Sequence, residues 1–217
     1  MGRDILILEN VRVRRGERIV LDGASLAVEQ GSRLVIRGDN GSGKTTLLQS
    51  ALGLLPLESG TIRLDGAPVG TPEWRRRRPL AAWVPQDGLL HRFPLAAREA
   101  VAVGLAGARL RRRDRDARIR RALEDVDAVD LADRCFHRLS GGERQRVSIA
   151  RCLAQGAEVL LLDEPGTALD AESRKRLVLL AESLSDEGKT FVVVTHDESL
   201  FDPARWKEHR LSGGRLC

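Results

Sequence analysis

An α/β fold built on a mostly parallel sheet is what this sequence predicts, on three observations. Val159-Leu160-Leu161-Leu162 and Phe191-Val192-Val193-Val194 are continuous apolar runs of strand length. Between them Leu177, Leu180, Ala181 and Leu184 line one helical face at i, i+3, i+4, i+7. Strands that are apolar on both sides need helices on both sides, as in a parallel sheet. The third observation is a glycine-rich loop, Gly38-Asp39-Asn40-Gly41-Ser42-Gly43-Lys44-Thr45-Thr46, between the apolar Leu34-Val35-Ile36 and a helical opening at Leu47-Leu48-Gln49.

That loop carries Gly38, Gly43, Lys44 and Thr45 at the offsets a phosphate-binding loop requires, and its strand and helix flanks agree. Glycines let backbone N–H groups turn inward around a phosphate, and the helix N-terminus adds its positive end. Lys44 can reach the β- and γ-phosphates, and the Thr45 hydroxyl can hold Mg²⁺. A plain glycine turn capping a helix would need neither lysine nor threonine there.

Taken in order, the chain opens with a run of short β-strands. Ile5 to Leu8 begins one, Val11 and Val13 alternate with Arg12 and Arg14, and Gly16-Glu17 is a turn. Ala24, Leu26 and Val28 alternate with Ser25, Ala27 and Glu29 up to Gln30-Gly31. The helix after Lys44 should stop near Gly53 or Pro56. Thr61 to Leu64 is a strand with Asp65-Gly66 as its turn, and Arg75 to Arg78 reads as a solvated charge run beside Trp74. Ala81 to Val84 is a strand ending at Pro85-Gln86. The character then changes: Arg98 to Leu105 is helical, Leu110 to Arg115 is an arginine-rich connection, and Ile119, Ala122, Leu123 and Val126 mark another helical face. Residues 87–139 therefore form a helical insert in an α/β core made by 1–86 and 140–217. A helix over about Gly142 to Ala154 resumes the core, and Glu208 to Leu211 with Gly214 to Leu216 makes a terminal hairpin.

Composition narrows the class. Of 217 residues 42% are apolar, enough for a packed core, and no apolar run approaches the roughly 20 residues that span a bilayer. No secretory leader opens the chain, so a cytoplasmic protein is expected. Cys135, Cys152 and Cys217 lack metal-ligand spacing and read as reduced thiols. A net charge of +5 invites a nucleic-acid reading, but aromatics are only 3%, against the stacking platforms of single-strand binders. Nucleic acid is not the expected partner.

Two further stretches carry chemistry. Leu160-Leu161-Leu162-Asp163-Glu164 follows the logic of a Walker B strand, whose carboxyl end delivers two acids to the ligand crevice. Asp163 would orient Mg²⁺ and Glu164 would polarise the attacking water as general base. Leu139-Ser140-Gly141-Gly142-Glu143 contains a capping box, Ser140 with Glu143. A cap does not need the two glycines, each costing about 1 kcal/mol within a helix. They make sense where backbone must approach another group closely, and a helix N-terminus with a serine is a second phosphate site.

Together these residues resemble the nucleotide-binding subunit of an ATP-binding cassette (ABC) transporter, over about Leu6 to Asp197. Leu139 to Glu143 matches the family's signature motif, Gln86 its Q-loop glutamine, Ala168-Leu169-Asp170 its D-loop and His196 its switch histidine. Alone, Gln86 is an ordinary strand-end residue, Asp170 a helix cap and His196 a surface histidine; joint order with two strong motifs raises them. The resemblance implies a P-loop NTPase (RecA-like) core with an N-terminal antiparallel β-subdomain and an inserted α-helical subdomain. It implies ATP and Mg²⁺ as ligands and a head-to-tail pairing with a second copy or a homologous chain. Each ATP would lie between Gly38, Asn40, Gly41, Ser42, Gly43, Lys44, Thr45 and Thr46 of one chain and Ser140, Gly141, Gly142 and Asp170 of the other. Thr45, Gln86 and Asp163 would serve the metal, and Glu164, His196 and Gln86 the hydrolysis.

The implied partner is an integral membrane permease docking on the helical insert and Q-loop, with a substrate-binding protein where the system imports, and the implied location is the inner face of the cell membrane. Phe93-Pro94-Leu95 with Arg98-Glu99-Ala100-Val101 resembles cassettes of importers for metal ions and iron chelates. A soluble cassette protein acting on ribosomes or DNA is the alternative; such proteins usually carry two cassettes or a coiled-coil insertion, neither present here. A small-molecule kinase is disfavoured by the signature motif. Two positions depart from the family pattern. Arg15 stands where an adenine-stacking aromatic is usual; either its guanidinium plane stacks or base recognition is loose, which leaves ATP against GTP open. Gly166 stands where threonine or a bulky residue is usual after Pro165.

Overall fold

The computed structural model describes residues 2–86, 94–167 and 169–217; Asp87, Phe93 and Ala168, on which sequence expectations fall, lie outside them. Two sheets organise the chain. The first is antiparallel, in the order β2-β1-β4-β5, from β1 (Asp4–Arg15), β2 (Arg18–Glu29), β4 (Ser59–Leu64) and β5 (Ala67–Pro68). The expected run of short strands is thus two long ones. Register shifts flank Asn10, whose φ of 50° bends β1 without ending it.

The second sheet has the order β10-β9-β3-β8-β7-β6. Its parallel strands are β3 (Arg33–Arg37), β6 (Ala81–Val84), β7 (Val159–Asp163), β8 (Thr190–Thr195) and β9 (Lys207–Ser212). Every residue of β7 and β8 is buried. Alternate side chains of one strand feed opposite cores, as the period of two requires. Leu160, Leu162, Phe191 and Val193 join the helical side, while Val159, Leu161, Val192 and Val194 join the side facing the antiparallel sheet and α1 (Lys44–Ala51). Burying a Val, Leu or Phe contributes about 1.5–3 kcal/mol each, so neither face can be opened cheaply. β10 (Arg215–Leu216) completes the expected hairpin with β9, and Asp22 N–H donates to the Gly214 carbonyl at 2.9 Å, tying this end to β2.

Register positions the site. Val84 lies beside Leu162, Asp163 beside Val194, and Arg37 beside Thr195. The carboxyl ends of β3, β6, β7 and β8 therefore share one edge, where an open α/β sheet binds its ligand. Gly38, Gln86, Glu164 and His196 each follow one of these ends.

The arginines of α2 (Pro72–Arg77) and the residue after it are not all solvated. Arg77 pairs with Asp65 at 3.3 Å, and the half-buried Arg78 donates to the Leu52 carbonyl at 3.2 Å, the C-cap of α1. Nor is Leu110 to Arg115 a connection, because α4 (Arg112–Glu124) starts inside it. Arginine is a good helix former, and Asp114 complements the first-turn dipole. With α3 (Ala97–Ala102), α4 packs on α5 (Gly141–Gln155), and Ala100, Val101, Ala122, Leu123, Val147 and Ala150 belong to one core. α6 (Ala171–Asp186) covers the same side through Leu177, Ala181 and Leu184.

The helical segment meets α5 at Gly104, where a Cβ would overlap the Arg151 carbonyl oxygen, a backbone atom that cannot rotate away. Gly104→Ala is expected to destabilise the fold by about 1–3 kcal/mol. Urea unfolding checks it; an unchanged midpoint would show that the segment is not seated on α5 through this contact.

Candidate active site

β3 ends at Arg37 and α1 begins at Lys44, so the loop between them must reverse tightly. A Cβ on Gly38 would come within 2.6 Å of the Leu211 carbonyl oxygen. Gly43 has φ of 105° and lies against Val20, so only glycine fits there without strain. As N-cap, Gly43 offers no side-chain acceptor, and no acid stands in the first turn of α1. Among the loop's side chains the buried Ser42 Oγ has no hydrogen-bond partner. An uncapped helix N-terminus and an orphaned hydroxyl fit a phosphate.

Lys44, at 6% exposed, uses its three donors on the carbonyls of Gly38 (2.7 Å) and Asp39 (3.1 Å) and on Glu164 Oε1 (3.2 Å). Thr45 Oγ1 donates to Asp163 Oδ1 at 3.2 Å. A hydroxyl and a carboxylate oxygen set side by side are the hard donors Mg²⁺ prefers. Burial pushes the Asp163 carboxyl above its ordinary range; the Thr45 bond opposes this, and the charge of Glu164 adds to it.

Glu164 adopts φ of 47°, a left-handed conformation unusual for a residue with a side chain, costing about 1–3 kcal/mol. Its Oε2 accepts from Thr195 Oγ1 (3.0 Å), from the His196 backbone N–H (3.2 Å) and from His196 Nδ1 (2.9 Å). An ionised carboxylate only accepts, so His196 carries its proton on Nδ1 in this bond. Burial alone would raise the Glu164 carboxyl, but the His196 and Lys44 bonds together outweigh it and hold it below the usual range.

The remaining expected residues divide. Gln86 is exposed, two residues past Val84 at the same sheet edge, and hydrogen-bonds no other site residue among those described. Arg15 ends β1 and donates to Gln49 Oε1 of α1 at 2.8 Å, which holds it beside the loop's helix. Ser140 caps α5: its Oγ accepts from Glu143 N–H at 3.3 Å, and its own N–H donates to Glu143 Oε2 at 2.7 Å. Those bonds, the backbone one first, hold the Glu143 carboxyl low. Ser140 and Gly142 line a cleft of about 190 Å³ with Arg146, Leu169, Ser173 and Arg176; no residue of the Gly38–Thr46 loop borders it. The Gly38–Thr46 loop and the Ser140–Gly142 turn are thus separate places in one chain.

Three contributors escape the sequence patterns. A Cβ on Gly142 would come within 2.7 Å of Ser173 Oγ, so the close approach its glycine permits includes α6. Ser173 N–H donates to Asp170 Oδ1 at 2.7 Å, making Asp170 the cap of α6. Arg174 donates to the Gly166 and Leu169 carbonyls (3.2 Å each) and pairs with Asp197 at 3.0 Å, bracing the turn after Glu164 against the residue after His196. Thr195, the third, carried the one available signal: a polar residue closing an apolar strand. At Gly166 the Leu200 side chain takes the place of the absent one; a Cβ would lie 2.8 Å from it.

A model of the family described as ABC transporter matches residues 21–167. The hemin import ATP-binding protein HmuV of Rhodococcus jostii is 41% identical over 206 residues, 92% of this chain and 68% of that protein. The manganese transport system ATP-binding protein MntB of Bacillus subtilis is 36% identical over 90% of this chain and 80% of its own length. Among solved structures, cbiO1 of Clostridium perfringens, part of the ABC transporter complex cbiONQ, matches with TM-score 0.87 and 28% identity over 99% of this chain and 87% of that one. A dimeric, post-hydrolysis ATP-binding cassette bound to ADP and Pi matches with TM-score 0.82 and 29% identity over 97% and 96%.

The two neighbouring acids should respond oppositely. Asp163 is raised, so at neutral pH its ionisation opposes folding, and the folded state gains relative stability as pH falls. Asp163→Asn is expected to raise the melting temperature of the nucleotide-free chain at pH 7, with the gain shrinking under acid conditions. Glu164 is lowered, so its contribution is present above the unfolded carboxylate range and lost as pH falls through its folded value. Glu164→Gln should cost about 1.5–3 kcal/mol at pH 7. Thermal melts across pH check both; shifts of the same sign for the two variants would contradict the assignment.

Proposed function

The chain belongs to the ABC transporter family as an ATP-binding, ATP-hydrolysing subunit, and we propose the residues that do this work and the cargo class it serves. The carrying observation is the continuous network Lys44–Glu164–His196 at the shared sheet edge. In this reading the Gly38–Thr46 loop holds the phosphates of ATP. Thr45 and Asp163 hold Mg²⁺, which neutralises phosphate charge when bound, and Gln86 serves the metal and water from the adjoining strand end.

Lys44 reaches a phosphate only by releasing acceptors it now holds. That exchange removes the nearest cation from Glu164 and raises its basicity when a water needs its proton taken. His196 keeps the carboxylate aimed. The second phosphate-type site, Ser140-Gly141-Gly142 with Asp170, acts on the nucleotide of a second copy or homologue packed head to tail. The absence of any Gly38–Thr46 residue from the cleft at Ser140 and Gly142 supports this pairing, as does the dimeric form of a solved relative. Arg15, braced on α1, stands at the base.

The pair energises a membrane permease, with residues 87–139 as the subdomain that meets it and 1–86 and 140–217 as the nucleotide-binding core. No described helix is long and apolar enough to cross a membrane, so attachment at the inner face would come through the permease. Relatives named for hemin, manganese and cobalt support import of a metal ion or iron chelate, with a substrate-binding protein upstream.

Glu164→Gln is expected to bind ATP, to slow hydrolysis by about 10²–10⁴-fold, and to accumulate as a nucleotide-bound dimer. Single-turnover hydrolysis with size-exclusion chromatography checks it, and wild-type turnover would remove Glu164 from the general-base role. Lys44→Ala should weaken ATP binding at least tenfold; unchanged affinity in a titration would refute the phosphate-loop assignment.

A further inference from the structure

Between Arg109 and Arg121 stand eight arginines against Asp114 and Asp116, an excess of +6, more than the +5 of the whole chain. The rest of the molecule is therefore close to neutral, and its positive charge sits on α4 and the turn before it. All eight are exposed. Arg121 pairs with Asp125 and Arg115 donates to the Ala102 carbonyl; among the described residues the side chains of the other six make neither ion pair nor hydrogen bond. Like charges three and four positions apart on a helix repel. The site described above uses none of them.

We propose that this arginine face is a docking surface for anionic phospholipid headgroups beside the permease. The inference rests on the permease-coupled reading, which brings the helical segment to the membrane. Guanidinium groups fork onto phosphate oxygens. Arg112, Arg113 and Arg120 surround an open recess with Asp116 and Ala117 along one helical stripe, with room for a headgroup. Exposed apolar side chains flank the cluster, Leu110 at 37% and Val103 at 44%. Basic residues with a few apolar tips suit the border of headgroup and acyl chain. The apolar stripe of α4, Ala122 and Leu123 with Ile119, is already taken by the core, so the helix lies on the surface and does not insert. No aromatic residue stands between Pro94 and Cys135, which leaves single-stranded nucleic acid without a stacking surface.

Flotation of the purified full chain with permease-free vesicles tests this. Phosphatidylglycerol-containing vesicles should carry the chain, phosphatidylcholine vesicles should not, and high salt should release it. The triple variant R112Q/R113Q/R120Q should bind on the order of 100-fold more weakly, while R112K/R113K/R120K keeps most of the binding and both keep the ATPase rate. Equal binding to neutral vesicles, undiminished binding by the glutamine variant, or retention only by nucleic acid or by an acidic permease segment would overturn the proposal. A chain that floats but hydrolyses no ATP would sink the functional reading instead, and one that hydrolyses without floating would sink only this one.

Discussion

A buried ammonium must have an anion, and in this molecule the anion for Lys44 is Glu164. An unpaired charge at 6% exposure would cost several kcal/mol. The pairing exists only because three parallel strands end in register: β3 delivers the Lys44 loop, β7 delivers Asp163 and Glu164, and β8 delivers Thr195 and His196. A slip of one residue in any strand would turn these groups to the other face. The continuous apolar packing of β7 and β8 is what forbids that slip. The core and the site are one constraint seen from its two ends.

That constraint also sets a competition. Lys44 is satisfied by two loop carbonyls and one carboxylate, and Glu164 by Lys44, Thr195 and His196. A phosphate entering the loop offers Lys44 a stronger partner, and the orphaned Ser42 hydroxyl and uncapped α1 amides gain one outright. On the proposed reading, Glu164 then keeps its orientation through His196 and loses the cation beside it, so that phosphate binding and the basicity of Glu164 would be linked through one ammonium. The left-handed backbone at Glu164 is tolerated because its side chain and its N–H, which donates to Val194 at 2.9 Å, are both tied to β8.

Most of this was legible in the sequence because it is local. Gly38 to Thr46, Asp163-Glu164 and the Ser140–Glu143 capping box are short patterns whose geometry follows from glycine, buried strand ends and helix caps. The parallel sheet, and the place of Asp163 and Glu164 at a strand's carboxyl end, followed from the continuous apolar runs; the strand order and the edge shared by Gln86, Glu164 and His196 did not. What was not legible depends on contacts between distant segments. Nothing around Arg174 marks it as the brace between Gly166 and Asp197, and nothing in Gly166 points to Leu200. The same limit made Arg77 and Arg78 read as solvated, because Asp65 and the end of α1 are brought beneath them by the fold. The start of α4 was missed because arginine repetition looks like a linker, although each arginine favours a helix.

The Ser140–Gly142 turn is tied to the Glu164–His196 end of the sheet through short steps in one chain. Gly142 lets α5 touch Ser173 in the first turn of α6, Ser173 binds the cap Asp170, and Arg174 in the next position ties the Gly166 and Leu169 carbonyls to Asp197, beside His196. Every link is a hydrogen bond, an ion pair or a van der Waals stop. Under the head-to-tail pairing proposed above, a displacement of the Ser140 loop would press on α6 and reach Asp197, the residue next to His196. Were Gly142 a larger residue, α5 would stand off α6 and that route would lengthen. The glycine that reads as a phosphate contact in the sequence is, in the folded chain, also the point where α5 meets α6.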